Sequence, residues 1–213
     1  VSNVSASCGN YPFSLSLNGA SLASSLTYQW QSSTNNATWA NIPGATSSGY
    51  SAIQLGDTYY RVIITCTKTN SSATSESYLL KKAGLLSGNL TIDNSLPANT
   101  ATAFKSFNDA YNALRCGISS AVTLNVVNTG TVYNEQLIME EIPGASATNT
   151  VTFKGNGATL EYLSTSDGKR GTVVLNGADH ITFDGLIVGA LATDYPQYGY
   201  GFHLRNNADS NVI

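Results

Sequence analysis

The sequence is poor in charged residues. Lys, Arg, Asp and Glu make up 11% of its 213 positions, less than half of the roughly 25% typical of soluble globular proteins. Ser, Thr, Asn and Gly fill the polar positions instead, which suits a secreted β-protein whose polar faces carry hydroxyl and amide groups. The net charge of −3 and the isoelectric point near 5.2 do not indicate the basic surface that nucleic-acid binding requires. We therefore expect no nucleic-acid partner.

The sequence also lacks long apolar runs and metal-binding motifs. No stretch approaches the 18 or more residues of a membrane span, so we expect no direct insertion into a membrane. The first four residues are neither basic nor followed by a long apolar stretch, so no signal peptide is visible and an exported protein would carry it upstream. Without Cys-x-x-Cys, His-x-x-x-His or an EF-hand loop, we expect no metal and no cofactor.

There are only three cysteines. Cys8 and Cys66 lie at opposite ends of one predicted domain, as an inter-sheet disulfide requires, and we expect them to pair; two buried free thiols are the alternative. Cys116 is then left over, either buried or paired with a cysteine outside this sequence. No His lies near it in sequence, so we do not expect it to be a reactive nucleophile.

Short segments of alternating apolar and polar residues, separated by turn residues, occupy positions 1–82. This pattern predicts a series of β-strands, most clearly at 26–31 and 58–66. The order Cys8, Trp30, Cys66 fits an immunoglobulin-like (Ig-like) sandwich. Ile64 stands where an antibody-type domain has its corner tyrosine, so the predicted sandwich is Ig-like and not antibody-type.

The segments 26–33, 38–46 and 58–62 together resemble the Ig-like modules of secreted and cell-surface proteins from Bacteroidetes-type bacteria. The resemblance extends over most of the predicted sandwich. In that family the modules are spacers or ligand-presenting domains and not enzymes. The resemblance therefore implies an extracellular or cell-surface location.

A helix is predicted at about 103–115, after a connector at 83–100 that is rich in Gly, Ser and Asn and has room for one strand at 88–92. Gly117 follows the last apolar position, as is common at helix C-termini. The apolar residues that recur at helical spacing are Phe104, Phe107, Ala110, Tyr111 and Leu114.

The remainder of the chain reads as strands with an internal repeat. The segment that begins at Leu175 parallels the one that begins at Leu204, and the segment that begins at Phe153 is similar to both, as an earlier turn of the same repeat. Offsets in the twenties with Asn/Gly bends predict a parallel β-helix, in which each turn of chain stacks on the previous one.

The predicted helix, followed by 131–138 and 151–157, resembles the start of right-handed β-helix proteins of the pectin-lyase-like superfamily. Pectin esterases open with a comparable helix, a Gly-x-Tyr-x-Glu segment and a strand ending in Gly; here 130–135 has one additional residue. We therefore predict an all-β protein: an Ig-like β-sandwich at 1–82, a connector, and the N-terminal, helix-capped coils of a right-handed parallel β-helix at 101–213. The strand pattern runs to Ile213, so we expect further coils beyond it.

Clusters of ionisable residues are few, and we expect no catalytic residue in this segment. Asp179 and His180 could form an acid–base site, but Asp209 recurs at the equivalent corner, which favours hydrogen bonding to backbone amides. Glu135, Glu140 and Glu141 could suggest carboxylate chemistry, but Glu140 and Glu141 point to opposite faces of a strand and are predicted to be solvated.

Aromatic residues are the stronger candidates for ligand binding. Tyr195, Tyr198 and Tyr200 surround Pro and Gly in a predicted loop, and with Trp39 they could present flat faces to sugar rings. For Trp39 the alternative is packing on its own hairpin. His203 alternates with apolar neighbours and is predicted to face outward. The expected partners are glycans or other cell-surface proteins.

Three functional hypotheses follow. The first is a non-catalytic surface, adhesive or structural segment of a larger secreted bacterial protein, in which the Ig-like module spaces or presents the β-helix. The second is the N-terminal portion of a polysaccharide-active lyase or esterase whose active coils lie beyond residue 213. The third is a self-assembling extracellular filament subunit that pairs through an open β-helix end or an edge strand.

Overall fold

The computed structural model describes residues 6–8, 12–17, 25–127, 130–164, 166–191 and 199–213. The chain forms two compact units, Val1–Gly84 and Leu85–Ile213. Within these residues the regular structure consists of β-strands apart from one helix, which confirms the predicted all-β class. Among the described residues, no helix combines the length and the apolar character needed to cross a membrane.

The first unit consists of two sheets. Its strands are β1 Ala6–Ser7, β2 Pro12–Ser16, β3 Leu26–Ser33, β4 Ala40–Asn41, β5 Gly49–Ile53, β6 Thr58–Cys66, β7 Ser71–Thr74 and β8 Tyr78–Lys82. The larger sheet has the order β1-β8-β6-β3-β4, with β7 also paired to β6, and the smaller one is an antiparallel pair of β2 and β5. All pairings in the larger sheet are antiparallel except β1–β8.

The two sheets of the first unit share one apolar core, because alternate residues of each strand point inward. Trp30 is fully buried, and its indole N–H donates a hydrogen bond of 3.0 Å to the carbonyl of Ser47, as a buried indole requires. The other buried members of this core are Phe13, Leu15, Ala45, Tyr60, Val62 and Leu80.

The predicted Cys8–Cys66 disulfide is wrong, since Cys66 has a free thiol. Ser7, just before Cys8, lies opposite Lys82 of β8, and β8 in turn pairs with β6 at its Thr58 end. Cys66 is at the other end of β6, which is about 26 Å away at the rise of a β-strand. A disulfide requires Cα atoms within about 7 Å of each other.

The described residues of the second unit form one helix and three parallel sheets. Its elements are β9 Leu86–Ile92, β10 Ala103–Phe104, α1 Phe107–Leu114, β11 Ile118–Val126, β12 Tyr133–Asn134, β13 Leu137–Met139, β14 Val151–Lys154, β15 Thr159–Tyr162, β16 Gly171–Asn176, β17 Ile181–Asp184, β18 Ile187–Ala190 and β19 Tyr200–Arg205. The sheets have the orders β10-β9-β11-β14-β17, β12-β15-β18 and β13-β16-β19.

The chain visits the three sheets in turn, so that each passage lies on the previous one. Val122 of β11 pairs with Val151 of β14, and Val151 pairs with Ile181 of β17, so the two steps along the chain are almost equal in length. Strands β11 to β13, β14 to β16 and β17 to β19 therefore form three successive coils. A parallel bridge from Thr182 to Val212 continues the same step.

One of the two predicted repeat offsets is correct. Leu175 pairs with Leu204 in the next coil, as predicted. The shorter offset, from Phe153 to Leu175, is wrong, because Phe153 belongs to a different sheet, where it pairs with Phe183. The two segments looked alike because both strands are followed by turns that contain Asn and Gly, in which Gly157 and Gly177 have φ angles of +78° and +76°.

Aromatic side chains stack along the core of the second unit. The ring of Phe153 lies 5.9 Å from that of Phe107 and 5.1 Å from that of Phe183, which is in turn 5.2 Å from the ring of Phe202. Phenylalanines of the coils thus continue a column that begins on α1. Such pairs contribute about 0.5–1.5 kcal/mol each beyond the apolar area that they bury.

Helix α1 is shorter than predicted, because Ala103 and Phe104 form β10 and the Ser106 hydroxyl accepts a hydrogen bond of 3.0 Å from the Asp109 N–H as an N-cap. Glu135 completes this helix end. Its carboxylate accepts hydrogen bonds of 2.8 and 2.9 Å from the backbone N–H groups of Phe107 and Asn108. A carboxylate at this position also complements the helix dipole.

Most of the predicted connector at 83–100 belongs to the second unit, which begins at Leu85. Strand β9 lies between β10 and β11 in the five-stranded sheet. Ser, Gly and Asn at 87–89 are exposed, and only Leu90 and Ile92 of this strand are fully buried. The polar composition that suggested a connector is thus the outward surface of a sheet.

Candidate functional site

A cleft of about 170 Å³ lies on the outward face of the β13-β16-β19 sheet. We call it the outer cleft. The loop before β16 and the first residue of β19 also contribute to its walls. The side chains that define its chemistry are Gln136, Arg170, Val174, Tyr200, His203 and Arg205.

Strand register explains how distant residues meet in the outer cleft. Ile138, Val174 and His203 lie side by side on the three strands, although each belongs to a different coil. On β16, Val173 and Leu175 flank Val174 and are fully buried. Because side chains alternate along a strand, the row formed by Ile138, Val174 and His203 must face outward. The predicted outward orientation of His203 is therefore confirmed.

Hydrogen bonds hold the polar groups of the cleft in place. Arg205 donates from Nε to Oδ1 of Asn176 over 3.0 Å, across the β16–β19 pair. Arg170 donates from Nη2 to Oδ1 of Asp167 over 2.7 Å; the arginine side chain is 15% exposed and the aspartate 66%. Gln136 donates from Nε2 to the carbonyl of Gly171 over 2.7 Å.

The lining of the cleft combines an excess of cationic groups with an aromatic ring. Two guanidinium groups and one imidazole line it, against the single carboxylate of Asp167, which already pairs with Arg170. The rings of Tyr200 and His203 meet edge to face at 5.6 Å, and Tyr200 is 38% exposed. Such a surface offers charge and hydrogen-bond donors beside a flat apolar face.

The structure brings only one of the predicted ligand-binding residues to this cleft. Tyr200 lines it, whereas Tyr195 and Tyr198 lie outside the described residues. Trp39 belongs to the first unit, where the guanidinium of Arg61 lies 4.1 Å from the centre of its indole. The predicted aromatic residues thus do not form one described site.

The predicted corner role of Asp179 is confirmed. Its Oδ1 atom accepts a hydrogen bond of 2.7 Å from the backbone N–H of Asp209 in the next coil. His180 has a φ of +60° and so belongs to the same tight corner. Glu140 and Glu141 are exposed, as predicted. In the described ranges, no group of three or more His, Cys, Asp or Glu side chains could hold a metal ion.

The arginines of the cleft were not predicted as site residues. Arg170 occurs in a short charged segment, and Arg205 occurs at the end of a repeat. The offset between Leu175 and Leu204, combined with the two-residue period of a strand, places Arg205 beside Asn176 on the outward face. That combination is the signal that could have identified it.

Comparison with known proteins identifies a family match for the first part of the chain. Residues 1–81 match a family model described as a domain of unknown function (DUF8696). No curated protein and no solved structure matches the chain.

Proposed function

We propose that this chain is a non-catalytic, glycan-binding segment of an extracellular or cell-surface bacterial protein, and that its second unit binds an acidic saccharide in the outer cleft. The observation that carries the proposal is the meeting of Arg205, His203 and Tyr200 at one concave surface. The first unit would space or present the second.

The chemistry of the cleft suits a sugar that carries a carboxylate or a sulfate. A guanidinium binds such a group through charge-assisted hydrogen bonds, which are about twice as strong as neutral ones. Tyr200 can contact the apolar C–H face of a sugar ring, and its hydroxyl can bond to the ring substituents. Because Asn176 already orients Arg205, little side-chain freedom is lost on binding.

Binding is favoured over glycoside hydrolysis by the carboxylates of the cleft. Hydrolysis normally requires two carboxyl groups on opposite sides of the scissile bond. Asp167, the carboxylate that lines the cleft, forms an ion pair with Arg170 and has no second carboxylate beside it among the cleft-lining residues. This arrangement supports a binding role for Arg170 and Asp167.

We further propose that the second unit is the N-terminal part of a right-handed parallel β-helix similar to the pectin-lyase-like superfamily. The support is the passage of the chain through three parallel sheets, with steps of almost equal length between successive strands of the longest sheet. Parallel crossovers are right-handed in nearly all proteins. Helix α1 would cover the apolar interior of the first coil.

The first unit is proposed to be an Ig-like sandwich. Two sheets share a core around a buried Trp30, as in that fold. In place of the inter-sheet disulfide, the rings of Phe13, Tyr50 and Tyr60 contact one another with centroids 5.3 to 5.9 Å apart. This cluster would hold the two sheets together, as the inter-sheet disulfide does in other Ig-like domains.

A second candidate function is β-elimination of an acidic polysaccharide, favoured by the contact of Tyr200 with His203 beside Arg205. An arginine could neutralise the uronate carboxylate while a neighbouring side chain removes the proton on C5. A C4–C5 double bond then forms as the C4–O glycosidic bond breaks, and the departing sugar oxygen takes up a proton. Incubation with polyuronates would then produce an unsaturated product that absorbs ultraviolet light. If no unsaturated product forms after long incubation while the oligomer still binds, elimination is excluded and the binding function is retained.

The proposed function is tested by isothermal titration with oligogalacturonate and with a neutral galactose oligomer of the same length. We expect binding of the acidic oligomer only, and a rise in Kd of about tenfold or more for Arg205→Ala. Lys154→Ala, which removes an exposed cation from the five-stranded sheet, is the matched control and should leave Kd unchanged. Equal binding of both oligomers, or equal losses in both variants, would contradict the proposal.

A further inference from the structure

We infer that the first unit carries a separate site for neutral saccharides on the outward face of β3, β4 and β6. The site consists of Trp39, Arg61, Gln31 and Asn41, and we call it the Trp39 platform. It differs from the outer cleft in its position on the chain and in its chemistry.

Three planar polar side chains form one row across the sheet. Gln31 lies opposite Arg61 of β6 on one side and opposite Asn41 of β4 on the other. Arg61 donates from Nε to Oε1 of Gln31 over 2.7 Å, and Gln31 donates from Nε2 to Oδ1 of Asn41 over 2.7 Å. The adjacent Trp30 and Val62 are fully buried, so this row is on the solvent side of the sheet.

Trp39 is fixed beside this row from two directions. The guanidinium of Arg61 stacks on its indole, with Cζ 4.1 Å from the ring centre. The preceding loop is ordered by Asn35, whose Oδ1 accepts hydrogen bonds from the N–H groups of Ala37 and Thr38 over 2.9 and 2.8 Å. The platform is therefore organised before any ligand arrives, which lowers the entropic cost of binding.

The row leaves hydrogen-bond donors for a ligand. The bonds that Arg61 and Asn41 make use the Nε and Oδ1 atoms. The Nη groups of Arg61 and the Nδ2 group of Asn41 have no acceptor within the described part of the chain. These amino groups can donate to the hydroxyl oxygens of a sugar while its C–H face contacts the partly exposed indole.

The charge of the platform favours a neutral sugar. Arg61 is its single cation, and that cation is already stacked on the indole. The other two members of the row are amides, which donate and accept hydrogen bonds as hydroxyl groups do. The outer cleft, by contrast, combines two guanidinium groups with an imidazole.

A sugar fits this surface better than a proline-rich peptide does. Peptides in the polyproline conformation dock into grooves between several aromatic side chains. The platform has one indole at the edge of a flat polar row, which matches a ring that has one apolar face and a hydroxylated rim. Peptide binding is retained as an outcome of the test.

The two tryptophans of the chain allow a direct test. Trp30 is fully buried with its Nε1–H bonded to Ser47, whereas Trp39 is partly exposed. The indole N–H signals of the full chain are followed by NMR during titration with hexamers of glucose, mannose, galactose and N-acetylglucosamine, each to about 10 mM, since weak sites have millimolar Kd values. We expect at least one sugar to shift the Trp39 signal and leave that of Trp30 in place.

Variants then assign the contact to the platform. Arg61→Lys keeps the charge but loses the planar fork, and Asn41→Ala removes the terminal amide; each should raise Kd about tenfold. Thr65→Ala, on the same outward face of β6, should have no effect. The inference is overturned if no hexamer moves the Trp39 signal, if both indole signals move together, if only a proline-rich peptide acts, or if Arg61→Lys binds as the wild type does.

The two binding sites can fail independently. Arg205→Ala should leave the Trp39 titration unchanged, and Trp39→Ala should leave binding of oligogalacturonate unchanged. Loss of neutral-sugar binding in Arg205→Ala would assign it to the outer cleft and refute the platform. Loss of oligogalacturonate binding alone would contradict the proposed outer cleft and would not affect the inference about the Trp39 platform.

Discussion

The backbone N–H of Asp209 lies 2.7 Å from Oδ1 of Asp179, and this hydrogen bond joins the corners of two successive coils. A second amide contact reinforces the same corner, because Asn211 donates from Nδ2 to the carbonyl of Ala178. The carboxylate of Asp179 thus serves the stacking of these two coils. This removes Asp179 from the list of candidate acids or bases.

Replacement of Asp179 by Ala should destabilise the second unit by about 1 kcal/mol, the usual net value of one hydrogen bond. Asp179→Asn retains an acceptor oxygen and should lose less. Urea denaturation followed by circular dichroism measures both. A loss in Asp179→Asn as large as that in Asp179→Ala would mean that the negative charge, and not the hydrogen bond, matters at this corner.

Replacement of Phe153 by Ala should cost about 3–5 kcal/mol, because it opens a cavity in the middle of the aromatic column. Phe153 is fully buried and its ring stacks on that of Phe183 at an interplanar angle of 9°. The outward neighbour Thr152 provides the control, for which Ala should change stability by less than about 0.5 kcal/mol. Similar unfolding midpoints for the two variants would contradict the stacked core.

Replacement of Glu135 by Ala should destabilise the second unit by about 1–2 kcal/mol, since two N–H groups of helix α1 lose their acceptor. Glu141→Ala removes an equal charge from an exposed position and should be close to neutral. Thermal unfolding distinguishes the two. If Glu141→Ala were as costly as Glu135→Ala, general charge and not helix capping would explain the effect.

The free thiol of Cys66 should react faster than an ordinary cysteine near neutral pH. A hydrogen bond from the Thr69 side chain and others from the backbone of Lys68 and Thr69 lower its pKa, because they stabilise the thiolate. The rate of alkylation by iodoacetamide should therefore rise at lower pH in the folded chain than in urea. Coincident pH profiles in the two states would refute this environment, and Thr69→Ala should move the folded profile toward the unfolded one.

Sequence patterns predicted the strands whose inward residues alternate regularly, because burial of one sheet face imposes a two-residue period. The strand predicted at 88–92 corresponds to β9, but it was assigned to a connector and not to the second unit, since the first half of β9 carries exposed Ser, Gly and Asn. The disulfide was predicted wrongly because the order of cysteines along the chain does not reveal the end of the strand at which each lies. Strand β1, which directly precedes Cys8, pairs with β8, and β8 pairs with the N-terminal end of β6. Cys66 lies at the C-terminal end of β6.

The candidate site was harder to predict than the fold. Arg170 and His203 are distant in sequence and meet only because Gly171 is in register with Tyr200. Residues that face outward need not be apolar, so they show no hydrophobic periodicity in the sequence. Which of them lie side by side depends on the exact length of each coil. Aromatic content did single out Tyr200, but as part of a predicted loop, whereas it is the first residue of β19; its contact with a ligand stays a prediction.

The most direct test of the account is a crystal structure of the full chain with oligogalacturonate. We expect a sugar carboxylate within about 3 Å of the Arg205 guanidinium, with the ring of Tyr200 against the sugar. A saccharide bound on another face of the second unit, or a carboxylate that points away from Arg205 and His203, would contradict the proposed role of the outer cleft.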